Sequence, residues 1–217
     1  MTAHMNQQKS ICKNHTEVKS HQRYIIKKVF LLFVLIYTFK PFYCNEIFAN
    51  AMNGSSVKKI KLGIDVLIEN DFAEIENKKI LLLTNTTGRT STGKLTVEAL
   101  QNSKKCEIIG LLTPEHGFYT TVPAGQSVKD DMVFGLKTYS LYGNSRKPDA
   151  KLLKSCDAVF VDIQDIGIRS YTYISTIFKT MQTCAEIGIP VIVLDRPNPL
   201  GGEIIDGNIV ETGKESF

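Results

Sequence analysis

Glu115 and His116 stand side by side in "LLTPEHGFYTT", residues 111–121, directly behind an apolar run. A glutamate and an imidazole can carry protons, and at the end of a buried strand both can face a cleft at little cost. The alternative roles are a carboxylate that caps the turn and a ring bonded to a backbone carbonyl. A glutamate half buried beside aromatic residues such as Phe118 is expected to have its charged form disfavoured, which suits a general acid near neutral pH.

Three further polar clusters have the same setting. Asn85 follows "KKILLLTN" (78–85), Asp162, Gln164 and Asp165 follow "DAVFVDI" (157–163), and Asp195 and Arg196 follow "PVIVLD" (190–195). Arg169 is suited to a planar two-point contact with a carboxylate, or equally to an ion pair with Asp165. Asp162 alternates with Val161 and Ile163 and has the alternative of pairing with facing backbone. Two prolines stiffen "LDRPNPLGG" (194–202), which holds Asp195, Arg196 and Asn198 at a cleft edge or links to another domain.

These clusters meet only if the strands are parallel. Apolar runs over 78–85, 107–113, 157–163 and 190–195 alternate with helical stretches at 63–70, 95–102 and near 149–154. A short strand is expected around 137–142. A long helix follows residue 163, and Tyr171, Ile174, Phe178, Met181 and Ala185 recur on it at a spacing that predicts a buried stripe. Gly188 suits its stop. Continuous apolar strands between helices predict an α/β fold with a Rossmann-like parallel sheet sandwiched by helices. The carboxyl ends of such strands share one edge, where ligands bind.

Residues 88–94, "GRTSTGK", match most of a phosphate-binding loop, but Leu95 replaces the hydroxyl residue that would hold Mg²⁺. A polar turn carrying two glycines is the favoured reading, and a nucleotide-binding α/β protein the alternative.

The 217 residues are 43% hydrophobic, which is globular composition. Residues 1–51 hold seven Lys+Arg against two Asp+Glu, and the rest of the chain nineteen against twenty. The basic excess therefore belongs to the leader, and no nucleic-acid footprint is left. The leader carries Lys27 and Lys28, an apolar run from Val29 to Phe39, and Ala49-Asn50-Ala51. That order predicts a signal peptide cleaved after Ala51, with export to the periplasm or medium and membrane contact only through the leader; an uncleaved anchor is the alternative. Cys106, Cys156 and Cys184 then remain, odd in number and without metal spacing, so neither a disulfide framework, a metal site nor a cofactor is expected.

In order, "LLTNTTG", "LLTPEHG", "YSLYG", "KPDAKLL", "FVDIQDIGIRSYTYIS" and "VLDRPNPLGG" resemble the exo-β-N-acetylmuramidase family of bacterial peptidoglycan recycling. The resemblance covers about residues 60–217. It implies a Rossmann-like N-terminal domain, here 52–217 after a leader at 1–51, followed in the family by a second domain, with the active site in the cleft between the two. The chain stops at "ETGKESF", before any second domain, so the expectation is a fragment or truncated reading frame that lacks part of the active site.

The activity implied is release of terminal β-linked N-acetylmuramic acid from the non-reducing end of peptidoglycan saccharides. Such hydrolysis uses one carboxyl group as acid and another as nucleophile or base. Glu115 takes the first role, with His116 beside it, while Asp162 and Asp165 are candidates for the second. Arg169 or Arg196 would meet the lactyl carboxylate, and Asn85, Asp162, Gln164, Tyr173, Asp195 and Asn198 complete the expected substrate contacts. An exported, non-catalytic glycan-binding module is the alternative from another class.

Overall fold

A computed structural model describes residues 60–214. Residues 1–59, with the apolar run and the cleavage expected after Ala51, lie outside the described residues. In chain order the elements are α1 (Gly63–Glu69), a 3₁₀ turn (Ala73–Ile75), β1 (Lys79–Thr84), α2 (Thr96–Ser103), β2 (Glu107–Thr113), β3 (Met132–Val133), β4 (Leu136–Ser140), α3 (Ala150–Leu153), β5 (Ala158–Asp162), α4 (Tyr173–Ile187) and β6 (Val191–Val193).

Six strands form one sheet in the order β3-β4-β2-β1-β5-β6. β1 pairs in parallel with both β2 and β5, β2 with β4, and β5 with β6. Only the short β3–β4 hairpin is antiparallel. The fold is thus α/β and Rossmann-like, as the apolar runs imply. β1 and β5 are buried on both faces: Leu81, Leu83, Val159 and Val161 enter one core, Ile80, Leu82 and Phe160 the other. The first core is closed by α3 and α4 and the second by α1 and α2, through Leu153, Tyr173 and Cys184 on one side and Ile64, Leu67, Val97 and Leu100 on the other. Cys184 and the half-buried Cys106 have their thiols pushed up to about 11 by burial, so both behave as small apolar groups.

α4 corrects one expectation. Tyr171, Ile174, Phe178 and Met181 are exposed, and the buried face is instead Tyr173, Thr176, Thr180, Thr183 and Cys184. The inward threonines cost little because each hydroxyl donates to the carbonyl one turn back: Thr180 to Thr176 at 2.8 Å and Thr183 to Lys179 at 2.9 Å. Both faces of the helix have helical spacing, and polarity pointed to the wrong one. The helix ends at Gly188 in the left-handed conformation, as expected.

Candidate functional site

Because β1, β2, β5 and β6 run the same way, their carboxyl ends lie on one edge of the sheet. The chain leaves central β1 toward β2 and β4, then returns to β5 and β6 on the other side. The switch therefore falls at β1/β5, where open α/β sheets bind ligands.

Glu115 reaches across this point. It leaves the end of β2, passes the end of β1, and accepts a 2.5 Å hydrogen bond on Oε2 from the Thr172 hydroxyl at the start of α4. Oε1 accepts at 2.8 Å from the Gly125 N–H, and the Tyr142 hydroxyl is a third donor. Burial, at 6% exposure, opposes ionisation of Glu115. Thr172, Gly125 and Tyr142 outweigh that burial, and the carboxyl is held below its ordinary value of 4.5. The N-terminus of α4 is a favourable place for the charge. The expected raised, acid-like Glu115 is thus corrected: sequence revealed the burial but not the donors, all three of which come from outside the motif.

The loop that holds Glu115 is strained. His116 and Thr120 adopt φ of 69° and 58° without being glycine. For a β-branched residue that is a true outlier, and such strain gathers at functional sites. The His116 Nδ1 lies 2.7 Å from the Val122 carbonyl. A carbonyl only accepts, so Nδ1 carries a proton.

Asn85 and Tyr173 support this cluster from below. Asn85 donates to the Tyr173 hydroxyl at 3.1 Å and uses its carbonyl oxygen on Thr87. Both are buried, so in this arrangement neither offers an atom to a substrate. Burial first, and the charges nearby, push the Tyr173 hydroxyl up, and it stays neutral.

Asp162 and Arg196 bind each other. Asp162 is 0% exposed; it accepts from Arg196 Nε at 2.6 Å and Nη2 at 3.1 Å, and from the Thr96 hydroxyl. Arg196 also donates to the Arg89 carbonyl at 2.6 Å. Burial is the larger influence on Asp162 and pulls its carboxyl upward, while Arg196 and Thr96 pull it down. The ion pair joins the β5 and β6 ends to α2 and engages Nε and Nη2 of Arg196, whose side chain is 8% exposed, so that little of the guanidinium is left for a lactyl carboxylate. Gln164 likewise spans to the Asp165 and Pro197 carbonyls.

Asp165, Asp195 and Asn198 line a 160 Å³ cleft at the β5 and β6 ends. Asp165 Oδ1 takes the Gly167 N–H at 2.7 Å, whereas its buried Oδ2 has no partner. No ion pair joins Asp165 to Arg169, which is exposed and lies against Gly207. Gly167 sits at φ +73°, and an added Cβ would meet the Asn198 amide at 2.5 Å, so only glycine fits this turn.

The "GRTSTGK" segment closes on itself. Thr90 N–H bonds to the Lys94 carbonyl, Gly93 N–H to the Thr90 carbonyl, and Lys94 N–H to the Thr90 hydroxyl. These N–H groups are already taken, which makes the segment a polar turn. The donors that sequence reasoning missed are Gly125, Tyr142 and Thr172; a strand-end position alone gives no sign of a partner dozens of residues away.

Fold and site together define an α/β domain with an enclosed, ionised carboxylate at the ligand-binding edge of its sheet. Residues 80–217 match the N-terminal part of the exo-β-N-acetylmuramidase NamZ family, and the chain belongs to that family. It is 40% identical over 161 residues to the peptidoglycan β-N-acetylmuramidase NamZ of Bacillus subtilis (strain 168), covering 73% of this chain and 39% of that protein. Two crystal structures of DUF1343 family proteins from Bacteroides fragilis are also similar. One has a TM-score of 0.64 at 45% identity, covering 70% of this chain and 38% of its own. The other has 0.59 at 30%, covering 73% and 40%. The chain thus spans well under half the length of these relatives.

A depressed carboxyl contributes stability that is present above its unfolded value and lost as pH falls through its folded value. Carbon-13 NMR titration of the Glu115 side chain should therefore give a midpoint below 4.5, rising in Thr172→Val. A midpoint at or above 4.5 in the unaltered chain would contradict the clamp.

Proposed function

We propose that this protein serves a glycoside hydrolase reaction, releasing terminal β-linked N-acetylmuramic acid from the non-reducing end of peptidoglycan fragments. The observation that carries this reading is the Glu115 carboxylate, enclosed and held by three donors at the sheet edge of a family member. In its ionised form Glu115 suits the carboxylate that faces the positive charge developing on the sugar ring, as nucleophile, base or stabiliser. The proton for the leaving oxygen then comes from a second carboxyl group. Asp165, with one buried oxygen unpartnered on the same edge, is the candidate within the described residues.

The substrate's lactyl group is anionic and calls for a cation. Arg196 is occupied by Asp162, whereas Arg169 makes no ion pair among the described residues and lies three residues before Thr172, so Arg169 is assigned this contact. The leader is read as an export signal cut after Ala51; N-terminal sequencing of the secreted or periplasmic product should begin at Met52, and a chain retaining residues 1–51 in the membrane would refute that.

The catalytic assignment is tested in the Bacillus subtilis relative with the change matching Glu115→Gln and a chromogenic N-acetylmuramic acid glycoside. Turnover should fall roughly 10²–10⁴-fold while the substrate still binds. Near-normal turnover would remove Glu115 from the mechanism, and binding without any product in the unaltered relative would favour a glycan-binding module.

A further inference from the structure

Of the three donors on Glu115, Gly125 is the one that the local chain must deliver, ten residues after the carboxylate it serves. Beyond β2 the chain turns at Gly117, whose N–H bonds to the Pro114 carbonyl at 3.0 Å, and the Phe118 carbonyl accepts from the Thr86 N–H beyond β1 at 2.9 Å. The chain then comes back to its own start. Val122 donates its N–H to the His116 carbonyl at 3.3 Å, and the Val122 carbonyl accepts from His116 Nδ1 at 2.7 Å. Both backbone groups of Val122 are thus bonded to one residue, and the segment 116–122 is closed on itself.

Gly125 follows directly. The Gln126 N–H bonds to the Pro123 carbonyl at 3.2 Å and Gly125 has a φ of 76°, so residues 123–126 form a tight turn with glycine in its third position. The path from Val122 to Gly125 is short and stiff, because Pro123 has a fixed φ and the turn is hydrogen-bonded. A shift of the Val122 carbonyl therefore carries the Gly125 N–H away from Glu115 Oε1, 2.8 Å from it.

His116 closes this circuit while holding a φ of 69°, a region that histidine and asparagine enter more readily than most residues with a Cβ. Its charge is a second influence on Glu115, but it stands after burial and after the Thr172, Gly125 and Tyr142 donors. The bond to Val122 needs no charge, since a neutral imidazole with its proton on Nδ1 makes it equally well.

We infer that His116 is a positioning residue for the Glu115 carboxylate: its Nδ1–H bond to the Val122 carbonyl holds the Pro123–Gln126 turn so that the Gly125 N–H meets Glu115. Its bearing on turnover rests on the function proposed above; the positioning does not.

Asparagine and glycine at position 116 separate the bond from the charge and from the backbone. Both residues enter the left-handed region, so neither adds strain. The asparagine amide nitrogen is attached to Cγ, as Nδ1 is, and donates without carrying charge, whereas glycine has no donor. In the full chain, carbon-13 NMR follows the Glu115 carboxyl and two-dimensional NMR the Gly125 amide. With His116→Asn the carboxyl midpoint should stay below 4.5 and the Gly125 amide should titrate with it, as in the unaltered protein. With His116→Gly the midpoint should rise and the amide should lose that dependence. An equal rise in both variants would mean that His116 acts through its charge, and no rise in either that the Val122 bond positions nothing; each result overturns the inference. The dispersion of the same spectra reports folding, and His116→Ala is the second donor-free variant should the glycine form not fold.

In the Bacillus subtilis relative, glycine at the position matching His116 should lower kcat about tenfold and leave KM within about twofold, since a displaced carboxylate is felt in the transition state. A raised midpoint here with unchanged kcat there would spare the positioning and count against Glu115 as the catalytic carboxylate. An unchanged midpoint would remove the positioning whatever the turnover.

Discussion

The site depends on one bond that crosses the sheet: the Thr172 hydroxyl on the Glu115 carboxylate, 57 residues apart in sequence. β2 and β5 are not neighbours. Each pairs with β1, and only that parallel ladder brings the loop after β2 to the helix that follows β5. The O–H···O⁻ distance of 2.5 Å is that of a charge-assisted hydrogen bond. With Gly125 as second donor, the same carboxylate also fixes the strained loop after β2.

A second polar contact does different work. Asp162 and Arg196 are almost fully enclosed, and their mutual bonds with Thr96 and the Arg89 carbonyl hold the β6 end and the α2 start against β5. Breaking such a pair by removing one partner costs about 3–5 kcal/mol, because the other charge is left buried. The pair frames the edge, on which Asp195 and Arg169 remain exposed. Two charged residues at strand ends, alike in sequence, thus divide into a brace and a rim according to burial.

Much of this was legible in the residues. Apolar runs located the long strands, and parallel pairing followed from their burial on both faces. Glu115, Asp165 and Asp195 do share one edge of the sheet, as strand-end positions implied. What was not legible has physical reasons. On α4, threonines that bond their own helix backbone can be buried as cheaply as aliphatic residues, so hydropathy selected the outward stripe of Ile174, Phe178 and Met181. For Glu115, an apolar neighbourhood predicted a raised carboxyl, and the donors that reverse it come from Gly125, Tyr142 and Thr172, which no local motif connects to it. The occupied state of Arg196 was hidden for the same reason.

The most direct test of the cross-sheet clamp is a double-mutant cycle on stability at pH 7, combining Glu115→Ala and Thr172→Ala in denaturant unfolding. A hydrogen bond to a charged group predicts a coupling of about 1.5–3 kcal/mol. Strictly additive effects, within about 0.5 kcal/mol, would mean that the two residues do not hold each other.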